Sequence, residues 1–198
     1  MSAVARLAAA LVLSWASLCA AHAQQGQPPK VQNYNAPGNL EQTADLGCIA
    51  LKDAAPRYTP VDLFRAAGTC ISAHRYDDGA RLFVLAGAYG RFDMLRVADT
   101  TAHQAILVIR SEIFGDLPQA DSDAFSASLK TIIVDGKLAP DLCATIQRIG
   151  APTYHPRYMI QHGMGAFTGN KGNGLVDKFD ADAAWKQVRA DYLKCAAK

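Results

Sequence analysis

Between Pro152 and Phe167 the sequence reads PTYHPRYMIQHGMGAF. Two imidazoles (His155, His162), two phenols (Tyr154, Tyr158) and the guanidinium of Arg157 fall close together, followed by Met164 and Phe167. Three chemistries are open to such a set. Histidine titrates near neutrality and suits general acid–base catalysis, given a nucleophile or a positioned carboxylate beside it. Two imidazoles are part of a zinc site, but a catalytic zinc takes three protein ligands plus water, so Asp177, Asp180 or His103 would have to complete it. Aromatic and methionine side chains also carry contact energy where proteins meet.

Spacing selects among these. Pro156 separates the histidines, so His155 falls just outside any helix that carries His162. The chain has no HExxH and no GxSxG motif, and Lys171 in the glycine-rich run Thr168–Gly174 is not set in GxxxxGK[ST]. No metal and no cofactor is expected. The segment is expected to bind another protein through Tyr154, His155, Arg157, Tyr158, Met159, His162 and Phe167. The alternative is a small envelope enzyme, hydrolase-like or metal-dependent, using His155 or His162. The connection from Gly150 to Asp180 is long for a compact domain, and connections of that length are often functional.

The N-terminus gives the address. Arg6 precedes an apolar run from Leu7 to Ala21, and Ala21-His22-Ala23 places small residues at the −3 and −1 positions of a cleavage site. This reads as a secretory signal peptide over residues 1–23, too short for a membrane span. Residues 24–44, rich in Gln, Asn and Pro, read as a flexible leader, and residues 45–198 as a single domain. Cleavage removes Arg6, leaving 19 basic residues against 18 acidic ones. With no basic stripe and no charge block, nucleic acid is not an expected partner. The periplasm or the extracellular space is the expected location.

Four cysteines remain after cleavage: Cys48, Cys70, Cys143 and Cys195. An even count in an exported chain implies two disulfides, and three pairings are open. Cys48–Cys70 with Cys143–Cys195 is preferred, because it closes the shorter loops.

The elements that must position the segment are helical. Thr59-Pro60-Val61-Asp62 is a capping box with proline at the first helical position. Leu63, Ala66, Ala67, Cys70 and Ile71 then recur at helical spacing. A second helix carries Leu82, Phe83, Leu85, Ala86 and Tyr89 and is expected to end near Gly90. A third runs to Gly115, a fourth from Ser122 through Phe125, Leu129, Ile132 and Ile133 to Gly136, and a fifth from Pro140 to Gly150; Ile132-Ile133-Val134 and Ile106-Leu107-Val108-Ile109 are open to short strands, but their flanking caps favour helix. The last begins at Asp180 and buries Trp185, Val188, Tyr192 and Cys195. His74 and His103 read as structural. An all-α fold of antiparallel helix pairs, stabilised by disulfides, follows.

Leu63, Ala66, Ala67 and Cys70, with Tyr76, Gly79, Ala80, Phe83 and Ala86, resemble one tetratricopeptide or Sel1-like hairpin over about residues 59–92. Ala66 and Cys70 depart from that pattern, which usually has Leu and a large aromatic there. The resemblance implies an antiparallel helix pair inside a compact domain, while the expected protein-binding role rests on the aromatic connection after Gly150. Within that role an inhibitor or immunity-type protein of the envelope is the expected subclass.

Overall fold

The computed structural model describes residues 35–169 and 172–195. The expected signal peptide and the leader up to residue 34 lie outside the described residues. The fold is predominantly helical, and both disulfides of the preferred pairing are present.

Helix α1 (Pro60–Ser72) starts as its sequence dictates. Thr59 accepts from the Asp62 amide, and the Asp62 carboxylate accepts from the Thr59 amide at 2.8 Å. Asp62 also accepts from Thr43 N, Thr43 Oγ1 and Ala44 N at 2.7–3.0 Å. The leader was expected to be flexible to residue 44, but residues 35–44 run along the domain. Their polar atoms find buried acceptors, which composition does not reveal.

Helix α2 (Tyr76–Arg96) packs antiparallel to α1 and is longer than its glycines suggest. Gly90 does not end it. A Cβ at Gly90 would lie 2.6 Å from Ile106 Cδ1, so the missing side chain makes room for α3 (Ala105–Phe114) to pack close. Tertiary packing outweighs the roughly 1 kcal/mol that glycine costs inside a helix. Asp99 caps the 3-10 turn Thr100–Gln104 that leads into α3.

Helix α4 (Gln119–Ile132) begins one residue after Pro118, ahead of the expected cap at Ser122. It also stops early. Ile133–Val134 (β1) and Lys137–Leu138 (β2) form a two-stranded hairpin, where a helix was expected to continue to Gly136. The reason is the Asp135-Gly136 dipeptide. Both residues take positive φ, 51° and 72°, the tight-turn geometry that Asp-Gly favours. Helix α5 (Pro140–Ile149) opens on its proline and closes at Gly150, φ 90°. Two single turns follow, α6 (Arg157–Ile160) and α7 (Gly165–Thr168). Helix α8 (Ala181–Gln187), capped by Asp180, passes into a π turn over Val188–Tyr192.

The core is centred on α1 and α2. Val61, Leu63, Phe64, Leu82, Leu85 and Tyr89 are fully buried. Phe83 meets Phe64, Phe114 and Phe125 edge-on, with centroids 5.2–5.4 Å apart. Such pairs contribute about 0.5–1.5 kcal/mol each beyond the area they bury. No helix among the described residues is long and apolar enough to cross a membrane.

Candidate functional site

The segment after α5 is fastened to the helices by a buried carboxylate. Asp93 lies on α2 and is fully buried. It accepts from Tyr154 Oη at 2.9 Å, Tyr158 Oη at 2.7 Å and Arg96 Nε at 2.8 Å. Arg96 Nη2 is also 2.7 Å from Asp93 Oδ1, but at an angle that makes no hydrogen bond. The guanidinium carbon sits 5.0 Å from the ring centroids of both Phe92 and Tyr154. Burial pushes the Asp93 carboxyl above its usual range, and Arg96 and the two hydroxyls pull it back. Burial also raises both tyrosines well above their usual value, with Asp93 adding to it.

Backbone bonds add further ties. Thr153 N donates to Pro56 O, Leu40 N to Tyr158 O, Ala98 N to Gly174 O and Val176 N to Arg96 O, all at 2.8–3.1 Å. A long connection that runs over packed helices must satisfy its peptide groups this way.

The expected site residues therefore divide. Tyr154 and Tyr158 face inward onto Asp93. Tyr158 is 3% exposed and Met159 wholly buried, so neither offers a partner contact area. Arg157 is exposed but occupied, donating to Pro37 O at 3.2 Å and pairing with Glu41 at 3.4 Å. His155 Nε2 lies 3.1 Å from Asn173 O, and His162 Nδ1 2.8 Å from Asn39 Oδ1. The histidines thus serve separate anchors. Burial holds His162 below the usual imidazole range, partly offset by Glu112. No group of three or more His, Cys, Asp or Glu among the described residues is placed to hold a metal ion.

Met164 and Phe167 lie nearer the surface. They are 58% and 51% exposed and stand three residues apart on the α7 turn, where Phe167 N donates to Met164 O. Asp99 holds this turn from below. Its carboxylate accepts from Gly165 N at 2.7 Å, Thr101 Oγ1 at 2.6 Å and Thr101 N at 2.9 Å. Partial burial acts to raise the Asp99 carboxyl, but the bonds from Thr101 and Gly165 prevail and hold it below its usual value.

A depressed carboxylate stabilises the fold above the unfolded pKa of about 3.9, and that contribution is lost as pH falls through the folded value. Acidification below about pH 4 is expected to free the α7 turn before the core opens. Amide exchange at Gly165–Thr168, followed against pH, checks this. Asp99→Asn should remove the acid step, and an unchanged profile in that variant would refute the assignment.

Sequence reading missed Asp93 and Asp99 as anchors. The one available signal was an acid inside an apolar helical run, Phe92-Asp93-Met94-Leu95, with Arg96 three residues on. No family profile, curated protein or solved structure matches the chain.

Proposed function

We propose that the chain is an exported protein, working in the periplasm or outside the cell, that acts by binding another protein. The observation that carries this is the pair Met164 and Phe167, both exposed on a turn that Asp99 anchors. Burying such side chains against a partner is worth about 1.5–3 kcal/mol each. A turn already fixed in place loses little conformational freedom on binding. The two disulfides support an oxidising compartment. An inhibitor or immunity-type role, built on a tetratricopeptide-like hairpin at α1–α2, is the subclass this reading favours. The histidines fit a structural account, since each is engaged by its own anchor.

The test is capture from an envelope extract with tagged mature protein. The double variant Met164→Asp/Phe167→Asp should lose a partner that wild type retains by at least tenfold. His155→Ala should retain it. Capture unaffected by the double variant would overturn this reading. Tyr158→Ala is a poor probe, because it strips a buried bond from Asp93 and disturbs the fold itself.

A further inference from the structure

A second feature lies apart from α6 and α7. Over α2 and α3 there is a cavity of about 540 Å³, within the roughly 300–1,000 Å³ typical of small-molecule sites. Its apolar lining comes from Phe64, Phe83, Met94 and Ile106. The C-terminal π turn closes one side through Tyr192, whose hydroxyl leans into the space left by Gly87, where an added Cβ would collide with it. Tyr192 is 46% exposed and lines the cavity. A second hollow of about 470 Å³, lined by Phe114, Leu117, Phe125 and Leu129, shares Phe83, Leu107 and Arg110 with the first. The two hollows adjoin along these shared side chains, and together they are treated as one apolar trough. Leu107, 66% exposed, stands at their junction.

The charges on this trough are uneven. Arg91 and Arg110 both line it, and both act on the Tyr192 hydroxyl, drawing its pKa back down against the rise caused by burial. Arg110 lies over the Phe83 ring, 4.9 Å from its centroid. Among the described residues neither arginine has a carboxylate within salt-bridge distance, whereas Arg75, Arg96 and Arg157 each have one. Asp191 is the one acid in the lining, and His103 is held by Val97 O at 3.3 Å. Two arginines without acid partners beside an aromatic hollow present positive charge where apolar surface is also open.

We propose that this trough binds a free single-chain amphipathic carboxylate, its acyl chain along Phe83, Ile106 and Leu107 and its head between Arg91 and Arg110. Guanidinium–carboxylate pairing supplies the orientation and the apolar lining the affinity. The chain enters the trough while the head stays at the rim, so the ligand leaves any bilayer to bind.

The test titrates mature protein with laurate, and with dodecanol as the uncharged analogue, by calorimetry. Laurate should bind at least tenfold more tightly than dodecanol. Arg91→Gln/Arg110→Gln should reduce laurate to the alcohol's level and leave the alcohol unchanged, which also shows the trough intact. Leu107→Asp, on an exposed position, should weaken laurate at least tenfold and the alcohol less. Equal affinity for the two compounds, or a double variant that binds laurate like wild type, overturns the proposal. So does a trough that ignores both compounds but takes an acidic amphipathic peptide, which would assign it to a protein partner.

Discussion

Asp93→Ala is expected to destabilise the mature protein by about 3–5 kcal/mol, the range for removing one partner of a buried ion pair. Three losses combine. Arg96 keeps its buried charge with no carboxylate beside it. Tyr154 and Tyr158 each lose their acceptor, and an unsatisfied buried hydroxyl costs about 1–3 kcal/mol. The segment carrying Met159 and Ile160 also loses its tether to α2. Urea unfolding measures the total. Tyr154→Phe and Tyr158→Phe should each cost less, about 1–3 kcal/mol, because the arginine keeps its partner. A loss under about 1 kcal/mol for Asp93→Ala would show that the network is not what holds the segment down. A buried pair of this kind is weak evidence for stability in itself. The role expected of it is registry: two phenols meet one carboxylate, which favours a single seating of the crossing.

The second large effect is expected at the C-terminus. Cys143→Ala/Cys195→Ala should cost about 4 kcal/mol by the chain-entropy relation, since the bond spans 52 residues. Cys48→Ala/Cys70→Ala, spanning 22, should cost about 3.4 kcal/mol. Denaturant titration of both variants against wild type checks the size and the order. The longer bridge does more than restrict the unfolded chain. It fixes the end of the π turn that carries Asp191 and Tyr192, while Leu138 N donates to Leu193 O from the hairpin. Loss of that clamp should also release Tyr192 from Gly87 and widen the trough. The nitration rate of Tyr192, mapped by peptide mass spectrometry, reads this in the variant, and an unchanged rate would separate the bridge from the wall.

Local rules made the helices readable. Thr59 to Asp62, Pro140, Gly150 and Asp180 start or stop helices for reasons contained within four residues. The cysteine count made two disulfides legible and left three pairings open; the fold selects the preferred one. What local reasoning could not see depends on partners distant in sequence. Gly90 looks like a terminator until Ile106 is known to fill its place. Asp135-Gly136 is a tight-turn signal that the apolar run before it masked. Residues 35–44 look like a solvated leader because their acceptor, Asp62, is 18 or 19 positions away. The aromatic residues of 152–167 were legible as important, but composition cannot tell a contact surface from a set of anchors. The buried carboxylate on another helix decides that Tyr154 and Tyr158 are anchors. The trough was hidden for the same reason: Phe83, His103 and Tyr192 each read as ordinary packing, and only the fold leaves space between them.

The arm at residues 35–44 also bears on the order of assembly. Asn39 meets His162 across 123 positions, and Arg157 reaches Pro37 across 120. Helices α1 and α2 are adjacent in sequence and close a short loop, so they pair early. When the chain emerges from its N-terminal end, the arm appears first, yet its partners at Arg157, Tyr158 and His162 appear more than 110 residues later. The first described residues to emerge are thus among the last to dock. Thr43 and Ala44 meet Asp62 only 18 or 19 positions on, so it is residues 37–41 that remain open until then to chaperones or proteases acting on the nascent chain.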